Sequence, residues 1–363
     1  VTAAPLAGMR IVELSSFVAA PLGGMTLARL GAEVIRVDPA GGGPDRRRWP
    51  LGPGGESLYW AGLNQGKRSV TVDLASPEGR ARVADLAVEC GVLLTNARPR
   101  PGLTYEELRR RREDLIYVQL QGRRDGSAAV DYTVNAAGGF AVLTGPAELE
   151  RPVNHVVPVW DVLTGLYLAL AVLAADRRGG GAHVGVALED VALATAGNLG
   201  LLAEAQLSRT PRPRIGNDLY GDFGRDFACA DGARFMVVVL TERHWRDLVA
   251  VTGVGPAVEA LEKALGADFR TGDDRYRHRE VVAGLVAPWF AARTAREVEE
   301  ALTAASVLWS RYRSFAELDL AGHPLFNRVG DYMAPGLPLV FDGVQAPAVP
   351  APKLGEHNDE VLP

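Results

Sequence analysis

Little in this chain points to metals, redox chemistry or export. Its 363 residues include only two cysteines, Cys90 and Cys229, in neither zinc-site nor Cys-x-x-Cys spacing. Cys90 closes an apolar helical pattern and reads as a core residue. No metal site is expected. A secretory leader is not visible, because residues 6–14 lead straight into a strand pattern, so a cytoplasmic protein is expected. Strong charge is missing too. A net charge of -5 gives no reason to expect nucleic acid as a partner. The apolar run 162–175 is too short and too well flanked by charge to span a bilayer, which argues against a membrane partner. Internal repeats are absent. The loop after the first strand, residues 15–24 (SSFVAAPLGG), lacks the Gly-x-Gly-x-x-Gly spacing of a dinucleotide site, so a nicotinamide cofactor is unsupported.

What is present has the balance of a globular protein, 47% apolar and 23% charged, with length for two domains. Residues 9–14, a helix over 21–30 opened by Pro21, and residues 32–38 make a βαβ unit, for which a right-handed parallel crossover is the expected geometry. Residues 40–55 read as loop, 68–74 as an alternating strand, and Ser76-Pro77 as the cap of a helix running to Cys90. Strands at 92–96 and 115–121 flank a helix over 105–112. Such alternation argues an α/β parallel sheet, with ligands outside the strand C-termini. That edge holds residues 15–18, 36–43 and 96–100. The basic runs 46–48 and 109–112 could meet a phosphorylated small molecule or be solvated faces.

Residues 152–161 (PVNHVVPVWD) lead into a segment, 162–175, that is apolar on every face and reads as a buried helix. Two readings of Asp161 are compatible: an N-cap after Pro158, or a carboxylate nucleophile at a buried helix N-terminus. A strand over 182–188 and an Ala/Leu-rich helix over 189–207 follow. The expected organisation is a large α/β domain over 1–207, a linker at 208–225, a small α+β domain at 226–305, a linker at 306–326, and a return of 327–363 to the large domain.

Several segments together resemble the class III CoA-transferases of CaiB/BaiF type. They are residues 6–14 (LAGMRIVEL), 30–39 (LGAEVIRVDP), 67–74 (KRSVTVDL), Asn96 with Pro99, Asp161 with Gly165, and 352–357 (PKLGEH). The resemblance implies a Rossmann-like large domain built from both chain ends and a homodimer threaded as interlocked rings. It also implies acyl-CoA and a small carboxylic or dicarboxylic acid as partners. Coenzyme A would serve as substrate, with no permanently bound cofactor. Asp161 matches the family's catalytic aspartate, which passes through an aspartyl anhydride and an aspartyl-CoA thioester. Arg36, Asn96, Arg100 and Lys67 match CoA-binding positions, Arg36 being an arginine on a buried-type strand that calls for an anionic partner. The backbone amides of Val18, Ala19 or Gly138-Gly139 would face the tetrahedral oxyanion.

Departures from the family pattern narrow the activity. Val130 stands where the racemase branch carries a proton-abstracting His. Val18 stands where formyl-CoA transferase carries Gln, and residues 216–227 (GNDLYGDFGRDF) lack that enzyme's oligoglycine loop. Residues 129–135, 152–161, 197–200 and 216–227 look most like the 2-methylfumaryl-CoA isomerase branch, which moves CoA between the two carboxyls of mesaconate. Tyr132, Asn135, Asn154, His155 and Arg225 would then hold the free carboxylate, although His155 also reads as a satisfied core histidine. Asp131 and Asp226 are read as structural, because either would repel an anionic substrate. The runner-up is an intermolecular acyl-CoA:carboxylate CoA transferase.

Overall fold

The computed structural model describes residues 4–362, which divide into two units. The first comprises Val1–Gly139, Asn154–Arg209 and Asp319–Pro363, so both ends of the chain belong to it. The second comprises Phe140–Val153 and Thr210–Leu318.

The first unit is built on a parallel sheet. In chain order its elements begin β1 (Arg10–Leu14), α1 (Ala19–Arg29), β2 (Glu33–Asp38), α2 (Leu58–Gly62) and β3 (Arg68–Thr71). They continue with α3 (Pro77–Cys90), β4 (Val92–Thr95), α4 (Tyr105–Arg109), β5 (Ile116–Gln121) and α5 (Asp131–Ala137). A one-turn helix, α6 (Phe140–Leu143), lies in the second unit. The first then resumes with α7 (Val159–Arg177), β6 (Ala182–Ala187), α8 (Leu188–Asn198) and α9 (Leu201–Leu207). Strand order is β3-β2-β1-β4-β5-β6 with every pairing parallel. This is the doubly wound order, and it reverses direction between β1 and β4, where such sheets open a ligand crevice.

Strand periodicity assigns the two faces. Ile11, Val34, Leu94 and Val118 pack with α1 and with Leu168, Ala169 and Val172 of α7. Val12, Ile35, Val37 and Leu93 pack with Val83, Ala84 and Ala87 of α3. Ser76 caps α3 by accepting the Gly79 N–H at 2.9 Å, with Pro77 at the first helical position.

Helix α7 has the length and apolarity of a membrane span, and packs on α1, β5 and β6. It is not buried on every face, as its sequence suggested. Leu166, Tyr167 and Leu170 are 49%, 46% and 57% exposed within this chain. The helix expected over 189–207 breaks at Gly200, whose φ of +77° ends α8 and admits α9.

The tail of the chain closes the β3 edge. His357 N–H donates to the Ser69 carbonyl at 2.9 Å, its Nδ1 accepts the Ser69 N–H at 3.2 Å, and Asn358 exchanges two hydrogen bonds with Thr71. An edge that would otherwise present unpaired backbone is covered by the last described turn.

The second unit packs helices on an antiparallel sheet of β7 (Phe223–Ala228), β8 (Arg234–Val239) and β9 (Leu308–Arg311). Its core is aromatic, with the Phe227 and Phe290 rings stacked at 4.7 Å. Arg214 ties residues 142–151 to this unit through the carbonyls of Val142, Leu149 and Arg151.

Candidate active site

The first turn of α7 carries backbone N–H groups that no helical carbonyl can accept. Pro158 at the N-cap position has no side chain to help. The acceptor comes from another element. Asp131, the first residue of α5, is buried, and its Oδ2 accepts the N–H of Trp160 at 2.8 Å and of Asp161 at 3.3 Å. Asp161 is therefore not the N-cap that its position suggested; it is the third residue of the helix. Its carboxylate meets no hydrogen-bond donor among the described residues, which leaves both oxygens available. Burial, with the negative Asp131 close by, pushes its pKa up to about 7, against the pull of Arg48.

The facing wall is the loop between β1 and α1. Asn96, just after β4, grips Ser16 from both sides, accepting its N–H at 3.1 Å and donating to its carbonyl at 2.8 Å. Phe17 adopts a left-handed φ of 68°, unusual for a non-glycine residue. Its N–H is held at 3.1 Å by Asp45. Helix α1 then starts with no side-chain cap, and the N–H groups of Val18 and Ala19 have no acceptor among the described residues.

Between these walls lies a cavity of about 310 Å³, whose lining includes Val18, Ala19, Arg48, Asn96, Val130, Asp131, Tyr132 and Asp161. It opens where the loops after β1 and β4 diverge, the switch point of the sheet. A free carboxylate thus shares one cavity with unsatisfied backbone donors, the arrangement that acyl transfer through a tetrahedral oxyanion needs.

Other expected site residues lie elsewhere. Arg36 is fully buried, and its anionic partners are internal: Asp38 at 3.1 Å and Asp45 at 2.8 Å, with Asn64 at 3.0 Å. Lys67 is buried as well, bonded at 2.8 Å each to Glu13, Asn64 and the Pro21 carbonyl. Both side chains are fully buried in an internal ion network, so in this structure neither presents surface to a CoA phosphate. Arg100 is exposed beside the Leu74 carbonyl and does not line the cavity.

Asn135 supports the site from behind, accepting from Trp160 Nε1 at 3.2 Å and donating to Asn154 at 2.9 Å. His155 packs edge-on against the Trp160 ring. None of Asn135, Asn154 and His155 lines the cavity, so of the first-unit residues expected to hold a carboxylate only Tyr132 does. Arg225 belongs to the second unit, where Asp218 and Glu280 neutralise it. Gly138 returns its N–H to Val134, and neither it nor Gly139 lines the Asp161 cavity.

Asp131 is structural, as expected, although its role as the cap of α7 across 30 residues leaves no local signal in the sequence. Arg48 is the cavity-lining residue that sequence alone does not single out, since it stands within a basic run.

Comparison with known proteins agrees with this geometry. The sequence pattern of CoA-transferase family III matches residues 6–358. A 2-methylfumaryl-CoA isomerase of Chloroflexus aurantiacus is 48% identical over 98% of this chain and 92% of its own length. A succinate–glutarate CoA-transferase of Agrobacterium fabrum is 30% identical over 99% of this chain and 95% of its own. The crystal structure of a CaiB/BaiF family protein from Brucella suis superposes with a TM-score of 0.80 at 25% identity, covering 98% of each chain. The chain is an enzyme of the class III CoA-transferase family.

Proposed function

We propose that Asp161 is the nucleophile of a CoA transfer that runs within one molecule, moving CoA between the two carboxyls of mesaconyl-CoA. The observation that carries this reading is the undonated Asp161 carboxylate in the switch-point cavity, beside the free amides of Val18 and Ala19. The 48% identical relative, a 2-methylfumaryl-CoA isomerase, supports the substrate.

The ionised carboxylate adds to the thioester carbonyl, and the Val18 and Ala19 amides stabilise the oxyanion. Collapse breaks the C–S bond, leaving an acyl-aspartyl anhydride and CoA thiolate. The thiolate attacks the Asp161 carbonyl of the anhydride and releases the acyl carboxylate, giving aspartyl-CoA. The second carboxylate of the released acid attacks that thioester and expels the thiolate, which then attacks the new acyl carbonyl and frees Asp161. No proton leaves the carbon skeleton. Val130 at the cavity wall offers no base for α-proton abstraction, which disfavours a racemase. Asn96 borders the thioester end of the ligand, and the exposed Arg100 is the candidate contact for a CoA phosphate.

The first unit is the CoA-binding domain in this reading and the second a small α+β domain. The protein is cytoplasmic and works as an interlocked homodimer, with the exposed Leu166, Tyr167 and Leu170 of α7 covered by the partner.

Incubation of the enzyme with mesaconyl-CoA alone, followed by chromatography, tests the function. Isomerised product without added acid, lost in Asp161→Ala, is expected. The 30% identical succinate–glutarate CoA-transferase favours a second reading, transfer between two acids. Turnover that begins only when a free carboxylic acid is supplied would establish it instead.

A further inference from the structure

Arginines near this crevice mostly spend their charge inside the protein. Arg36 pairs with Asp38 and Asp45, and Arg46 with Asp38. Arg48 does not. Among the described residues no carboxylate lies within ion-pairing distance of it, and no acceptor takes its guanidinium. It rests instead over the Tyr59 ring at 4.7 Å and reaches the Phe17 ring at 5.8 Å. Its backbone is fixed at both ends: the N–H donates to the Asp45 carbonyl at 3.1 Å, and the C=O accepts the Ser57 hydroxyl at 2.6 Å. The side chain is half-buried and lines the Asp161 cavity. A guanidinium propped on aromatic faces, partly dry and without an anion, is preorganised for a planar carboxylate from outside.

From this geometry we propose that Arg48 anchors the carboxylate that is not reacting, and so selects acyl groups bearing a second carboxyl. This deepens the dicarboxylyl transfer proposed above and rests on it. One carboxyl of the acid is engaged at Asp161 while the other pairs with Arg48. When the acid turns end for end between the two anhydrides, the carboxyls exchange these places. The pull of Arg48 on the Asp161 pKa is the same field acting on the other anion of the cavity. It also explains why Asn135, Asn154 and His155 can be spent on holding Trp160 and the segment around it, for the anion they were expected to bind is met from the opposite wall.

The test is binding rather than turnover, so that it survives failure of the isomerase reading. Calorimetry would compare succinyl-CoA with butyryl-CoA, equal in chain length and differing in one carboxyl, on the full-length Asp161→Ala protein and on Asp161→Ala combined with Arg48→Gln. A charge-assisted pair of this kind predicts that succinyl-CoA binds at least about tenfold more tightly to the single variant. That preference should vanish with Arg48→Gln and return in part with Arg48→Lys, while butyryl-CoA stays within about twofold throughout. No preference in the single variant, a preference that survives Arg48→Gln, or an equal loss for both ligands would overturn the proposal. The last outcome would make Arg48 a contact for CoA itself. Absence of turnover on mesaconyl-CoA by the intact enzyme would sink the isomerase reading without touching this measurement.

Discussion

Two carboxylates, Asp131 and Asp161, stand side by side in one cavity, and their roles differ because their partners differ. Asp131 is bonded to two N–H donors and caps a helix; Asp161 has none and is free to react. As the proposed nucleophile, Asp161 must be ionised, so kcat/KM is expected to rise with pH through about 7 and level off above it. Asp131→Asn keeps an acceptor oxygen for the cap but removes the charge that adds to burial in raising the Asp161 pKa. Its acidic limb should therefore lie at lower pH than that of the parent, read from the pH profile of kcat/KM. An unmoved limb would mean that burial alone sets the Asp161 carboxyl. Asp131→Ala also loses the cap, at a cost of about 0.5–2 kcal/mol in stability. Legibility at this scale was uneven. Asp161 could be found because proline, a carboxylate and an apolar helix stand together in sequence. Arg36 was legible as an arginine in want of an anion; Asp38 stands two residues along the same strand, but Asp45 and Asn64 come from separate segments that only folding brings together.

Among elements, the crossing of α1 and α7 decides the width of the site, since one helix begins at the free Val18 and Ala19 amides and the other carries Asp161 in its first turn. Two glycines make the approach close. A Cβ on Gly165 would lie 2.7 Å from the Ala19 carbonyl oxygen, and one on Gly23 would lie 2.8 Å from that of Gly165. Both neighbours are backbone and cannot swing aside. Gly165→Ala should push α7 off α1, at the cost of about 1–3 kcal/mol typical of an overpacked contact. It should also lower kcat more than it raises KM, because the nucleophile is displaced from its donors. Thermal melting and steady-state kinetics on one preparation would check both. The helices and strands of the first 121 residues, α2 apart, were readable because parallel strands are near-continuous apolar runs separated by capped helices. The start of α7 was not, because its cap lies in α5. β7, with the sequence FGRDFA, begins inside the stretch read as a linker; its glycine and charges disguise the alternation that buries Phe223 and Phe227.

The molecule as a whole leaves an apolar strip of α7 uncovered, which a second copy would bury. Light scattering on the purified protein is expected to give twice the 38.7 kDa of the chain at micromolar concentration. A monomer mass would leave Leu166, Tyr167 and Leu170 without an occupant and remove the dimer from the proposal. Whether 327–363 would fold alone was doubtful from its composition, and residues within it pair with the first unit, as at Ser69 and Thr71. That closure has a temporal side. Ser69 emerges from the ribosome 288 residues before the imidazole that accepts its N–H. At about 5–20 residues per second the β3 edge stays open for roughly 15–60 s of synthesis. During that interval the nascent sheet presents a pairing-competent border to every neighbouring chain on the polysome. Slower elongation lengthens that interval, and with it the opportunity for strand capture by another chain.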